Sequence, residues 1–73
     1  MRLDEVLVRL RAKGIAKVGT WELRGRRAII LGDPTKYFPH PVGPQYSIDI
    51  TDDHNPELRP EEIEAIERRF GEF

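Results

Sequence analysis

QYSIDIT, residues 45–51, alternates without a break: Tyr46, Ile48 and Ile50 fall on one side of an extended chain, and Ser47, Asp49 and Thr51 on the other. A period of two with one apolar and one polar side describes a half-buried antiparallel strand. Such a strand needs neighbours for its edges and a cover for its apolar face, and the rest of the chain supplies both.

Upstream, AIIL at 28–31 reads as a second strand, with Ile29 and Leu31 facing one way and Ile30 the other. Its alternation is imperfect, so it is expected to be partly covered on both faces. Asp33-Pro34 stops it. KVGTWELR at 17–24 reads as a further strand joined to AIIL through Arg24-Gly25-Arg26. Simple alternation puts Lys17, Gly19, Trp21 and Leu23 on one face, opposite Val18, Thr20 and Glu22. Trp21 and Leu23 are the expected core pair, and Gly19 marks a bulge or a close contact.

The covers are helical. In residues 3–13, Leu3, Val6, Leu7 and Leu10 recur at helical spacing. Asp4 and Glu5 sit at the positive end of this segment, and Arg9, Arg11 and Lys13 toward its negative end. Gly14 is placed to end it in a left-handed conformation, with Ile15 folding back on the last turn. A second helix starts at Pro60, which suits a first helical position because its missing N–H has no partner there. Ile63, Ile66 and Phe70 form its buried stripe, Leu58 and Ile63 staple its start, and Gly71 ends it, although Arg59 is a poor N-cap. The expected architecture is α+β, in the order α-β-β-β-α: a three-stranded antiparallel sheet with two helices packed on one face. It forms one small domain over residues 1–73, interrupted by a proline-rich loop at about 32–44.

That loop, with prolines at 34, 39, 41 and 44, excludes helix and central strand. It is long for a compact domain, and the prolines hold it near polyproline II as a stiff arm. Phe38 is expected to close the end of the core in preference to an interface role, and Tyr37 to lie at the surface. As a docking element the contact would be Tyr37, Phe38, Pro39 and Pro41.

Both histidines, His40 and His54, invite chemistry. Zinc needs three or four ligands, and the pool is His40, His54, Asp49, Asp52 and Asp53. With no cysteine and no HExxH spacing this is a weak metal signal, and neither metal nor cofactor is expected. Asp52, Asp53 and Asn55 read as a turn whose short side chains bond to nearby backbone. Ribonuclease chemistry would need one histidine near a 2′-hydroxyl plus a cation for the phosphate, and His54 or His40 with the arginines could supply both.

The chain has 12 basic and 13 acidic residues, and the two kinds are segregated. Residues 1–36 hold nine basic against four acidic side chains, and residues 37–73 hold three against nine. Arg24, Arg26 and Arg27 cluster at the hairpin tip, joined by Lys17. They are the candidate phosphate contacts, with Tyr37 as a stacking surface. An ordinary solvated turn would carry the same residues. The absence of cysteine excludes disulfide staples, thiolate metal sites and thiol nucleophiles. No leader is read before the first helix, and no apolar run approaches the ~20 residues that span a bilayer, so a cytoplasmic protein is expected with no membrane partner. Nine of the twelve basic residues are arginine, a bias compatible with a thermophile.

With the elements in this order, DDHNPELRPEEIEAIERRFG at 52–71 resembles the end of the HicA-type toxins, small ribonucleases of bacterial toxin–antitoxin pairs. The correspondence runs through His54, Leu58, Arg59, Pro60, Ile63, Ile66 and Gly71, and through Gly14 at the end of the opening helix. The resemblance implies a fold similar to a double-stranded RNA-binding domain, with RNA as the ligand. It also implies a Gly-Ser-His triplet in the first strand, where this chain has Gly19-Thr20-Trp21, and a tryptophan cannot transfer a proton. The proline-rich loop and the acidic C-terminal half depart from the family as well. The reading is therefore a non-enzymatic domain binding RNA or another nucleic acid through the basic hairpin. The alternatives are a ribonuclease using His54 or His40, and a protein-interaction or homodimerising module using the proline-aromatic loop.

Overall fold

The computed structural model describes residues 1–36 and 42–73. Helix α1 (Leu3–Arg11) is followed by β1 (Ala16–Leu23), β2 (Arg26–Gly32), one 3-10 turn (Pro34–Lys36), β3 (Tyr46–Asp49) and α2 (Pro60–Phe70). The strands form one antiparallel sheet in the order β1-β2-β3. Both helices pack on one face, as the apolar stripes require. Leu3, Val6 and Leu10 of α1 and Ile66 of α2 meet Ile29, Leu31 and Ile48 of the sheet, and Ile50 just past β3, in one buried cluster. Arg69 of α2 also stacks over the Tyr46 ring of β3, 4.9 Å from its centre. Tyr37, Phe38, Pro39, His40 and Pro41 lie outside the described residues, and so do the core, stacking and docking roles expected of them.

The end of α1 follows its sequence. The helix closes at Arg11, two residues before the expected limit, and the N–H of Ile15 reaches the Leu10 carbonyl while that of Gly14 reaches Arg11. This is a Schellman arrangement, and Gly14 takes the left-handed conformation it demands, at φ +77°. Ile15 is buried against the last turn.

The β1–β2 turn sets the sheet. Arg24 (φ +51°) and Gly25 (φ +79°) are both left-handed, the condition for a two-residue type I′ turn. Leu23 therefore lies opposite Arg26, which places Trp21 opposite Ala28 and Thr20 opposite Ile29. Ile29 and Leu31 define the helix-covered face, so Thr20 and Glu22 share that face and Trp21 and Leu23 take the other. The expectation that Trp21 and Leu23 form a core pair is overturned: they are 42% and 63% exposed on a sheet face without a helix. Between Lys17 and Gly19 the register slips by one residue, the bulge anticipated at Gly19. The extra residue brings Lys17, opposite Leu31, onto the face of Thr20 and Glu22. β2 is covered unevenly on both sides, with Ala28 buried and Ile30 half-buried on the face away from the helices.

Asp33 ends β2 by accepting the Thr35 N–H at 2.9 Å, and Pro34 opens the 3-10 turn. At the far end of β3, Thr51 accepts the Arg27 N–H through its hydroxyl, and Ile50 donates to the Arg27 carbonyl. In the turn after it Asp53 behaves as read, accepting the Asn55 N–H at 2.9 Å, whereas the Asn55 side chain does not bond to nearby backbone. Asn55 has a further role that no local pattern announces. Arg2 precedes α1 without a side-chain cap, and the Asn55 Oδ1 accepts the Asp4 N–H at 2.9 Å in its place. The same strip pairs Arg2 with Glu57 in an isolated bridge, tying the chain before α1 to the segment before α2. Asn55→Ala is expected to cost about 1 kcal/mol, the usual loss of an N-cap, and to lower Tm by several degrees in a thermal scan.

Helix α2 begins at Pro60 with Glu62 accepting the Arg59 N–H at 3.3 Å. Leu58 and Ile66 are buried, with Ile63 and Phe70 packed against the same cluster. The Gly71 N–H closes the end on the Glu67 carbonyl.

Candidate functional site

The arginine cluster read from the sequence divides in space. Adjacent residues of a strand point to opposite faces, so Arg26 and Arg27 cannot act side by side. Arg26 lies on the face away from the helices and is paired with Asp49. Arg27 lies on the helix face and is held by Glu22, whose Oε1 accepts from Nε at 3.0 Å and Nη2 at 2.7 Å. Arg24 sits at the turn and makes no ion pair among the described residues.

The Asp49 carboxyl is pulled down to about 2, chiefly by the hydroxyl and backbone N–H of Thr51 and then by Arg26. A depressed carboxylate contributes stability that is complete above its ordinary value of 3.8 and is lost as pH falls through about 2. The Tm difference between the wild type and Asp49→Asn is therefore expected to be constant above the first value and to close toward the second. A difference that persisted in strong acid would show that the substitution acts through packing alone.

On the helix face, the end of the sheet near the hairpin extends past the residues that the helices bury. Lys17, Thr20, Trp21 and Glu22 of β1, Arg27 and Ile29 of β2, and Ile50 and His54 beyond β3 surround an open hollow of about 540 Å³ there. Ile29 and Ile50 are buried at its base. Its rim carries two cations, one carboxylate, a hydroxyl and an imidazole. Lys17 makes no ion pair among the described residues. The Arg27–Glu22 pair is exposed on both sides, and such pairs contribute only about 0–1 kcal/mol, so an arriving phosphate can compete for the guanidinium.

The structure thus brings together three of the residues singled out in the sequence, Lys17, Arg27 and His54, and sets Arg24 and Arg26 outside the group. His40 and Tyr37 lie outside the described residues. Among the described residues no group of three or more His, Asp or Glu side chains is placed to hold a metal ion. Among them, too, no helix is long and apolar enough to cross a membrane. Thr20 and Glu22 escaped the sequence reading, which also placed Trp21 in the core. The signal was the two-residue turn, because Leu23 opposite Arg26 puts Thr20 beside Ile29 and turns Trp21 away from the core. No protein-family model, curated protein or solved structure matches the chain.

Proposed function

We propose that this domain binds RNA in the hollow at the hairpin end of the sheet. The observation that carries the reading is the convergence of Lys17, Arg27 and His54 around one open hollow on the helix face. Lys17 and Arg27 engage phosphate, Arg24 at the turn adds a more distant contact, and the His54 ring stacks on an unpaired base. Single-stranded RNA is recognised in this way, by aromatic stacking beside cations that track the backbone. The volume, about 540 Å³, falls within the ~300–1,000 Å³ typical of sites that take small organic groups.

A second reading rests on His54 in the same hollow. One imidazole within reach of a 2′-hydroxyl, with Lys17 and Arg27 on the neighbouring phosphate, makes up the parts of metal-independent ribonuclease chemistry. A titration of a mixed labelled RNA pool at low and high salt, with the same samples run on a gel with and without chelator, separates the two. Salt-sensitive binding without cleavage supports the binding domain. Cleavage that survives the chelator and disappears in His54→Ala supports the ribonuclease. Neither binding nor cleavage at tens of micromolar protein overturns both.

A further inference from the structure

The β1 strand is an edge of the sheet, and among the described residues nothing pairs with its outer side. Exposed edges recruit other strands unless something blocks them. The backbone of β2 shows which groups of β1 are free. Arg27 directs its carbonyl and N–H toward the β3 side, to Ile50 and Thr51. Alternate residues of a strand turn these groups to opposite sides. Ile29 and Leu31 therefore also face β3, and the β1 residues opposite Arg27, Ile29 and Leu31 turn their own groups outward. These are Glu22, Thr20 and Lys17.

Those three residues form a self-complementary set. Lys17 and Glu22 are five positions apart, an odd spacing that would put them on opposite faces of a regular strand. The bulge absorbs one position, so both lie on the helix face with Thr20 midway between them. A two-fold axis normal to a sheet places one residue opposite its own copy. With Thr20 at the axis, each Lys17 falls opposite Glu22 of the other copy, and each Leu23 opposite Ala16. Trp21 falls opposite the bulged Val18-Gly19, where the missing Gly19 side chain leaves room for an indole. Lys17, without an ion pair among the described residues of its own chain, gains one, and the exposed Trp21 and Leu23 gain cover.

We infer that the chain forms a two-fold homodimer by antiparallel pairing of β1 with β1 of a second copy about Thr20, joining two three-stranded sheets into one continuous sheet. The interface is isologous, each copy presenting the same patch. It also brings the two hollows, each lined by Lys17, Thr20 and Glu22, against one another across the axis. Pairing rests on β1 alone and does not depend on the RNA reading.

The test is sedimentation equilibrium of the protein without RNA, with circular dichroism confirming that every variant is folded. The wild type is expected to be a dimer at high micromolar concentration. Lys17→Glu leaves two carboxylates facing each other on each side of the axis, and Glu22→Lys leaves two ammonium groups. Each variant is expected to raise the dissociation constant about a hundredfold, since juxtaposed like charges are strongly disfavoured. An equimolar mixture of the two is expected to dimerise again. In the mixed dimer the introduced carboxylate of one chain meets the introduced ammonium of the other on one side of the axis, while native Glu22 and Lys17 meet on the other. A monomeric wild type at millimolar concentration overturns the inference. So does a dimer that both single variants leave intact, or a mixture that stays monomeric.

Discussion

Ile66→Ala is expected to bring the domain close to its stability limit. Ile66 is fully buried and, among the described residues, is the only one of α2 so enclosed, while Ile63 and Phe70 flank it half-exposed. Truncating a buried isoleucine to alanine costs about 2–5 kcal/mol, because the lost burial is compounded by the cavity left behind. Globular chains hold roughly 0.05–0.15 kcal/mol per residue, which for this length is about 4–11 kcal/mol in total. At the slope of about 1 kcal/mol per molar urea found for small domains, the midpoint falls by at least ~2 M or the transition disappears. Ile63→Ala, at the half-buried edge of the stripe, is expected to lose about half as much. Both are to be compared at one fixed chain concentration, since any self-association adds to apparent stability. An unchanged midpoint for Ile66→Ala would mean that α2 contributes nothing to the cooperative unit.

What the sequence disclosed, and what it concealed, follows from the range of each interaction. Helix α1 and its Gly14 stop, the Pro60 start of α2 and the alternation of β3 are set by neighbours within a few positions, and these were readable directly. The face of β1 was not, because two local features shift it together. The Arg24-Gly25 turn fixes which residue opposes which, and the bulge before Gly19 moves Lys17 from one face to the other. Simple alternation, without either feature, put Trp21 inside and Lys17 with it. The capping of α1 by Asn55 acts across 51 positions and leaves no local trace. The candidate site divides in the same way. The arginines of the hairpin were recognisable as a group, yet their separation onto two faces follows only once β2 is known to run through both Arg26 and Arg27. That His54 joins Lys17 and Arg27 is a product of the tertiary fold, since it depends on where the turn after β3 returns over the sheet.

Arg27→Ala is expected to weaken RNA binding about tenfold at low salt, and Lys17→Ala/Arg27→Ala about a hundredfold. The reason is electrostatic and has a signature of its own. Each phosphate neutralised on a single strand releases condensed counterions, giving a slope of log affinity against log salt of about −0.7 per contact. The slope should therefore become shallower by about 0.7 in the single variant and about 1.4 in the double. Arg27→Ala is read first, because it leaves Lys17 in place, although it also frees the Glu22 carboxylate that Arg27 holds. Arg26→Ala is the internal comparison: its guanidinium is paired with Asp49 on the opposite face, and its removal should leave the slope within about 0.2 of the wild type. Trp21→Ala is a second comparison, since its ring lies on the face of Arg26: affinity and slope should both stay close to the wild type. His54→Ala should behave in the complementary way: stacking contributes about 1–3 kcal/mol per base and carries no counterion term, so affinity falls while the slope stays. If Arg26→Ala and Arg27→Ala flattened the slope equally, RNA would be held by the net charge of the hairpin on both faces. Only a difference between these adjacent arginines locates binding in the hollow, because the pleat of β2 sends one of them into it and the other away.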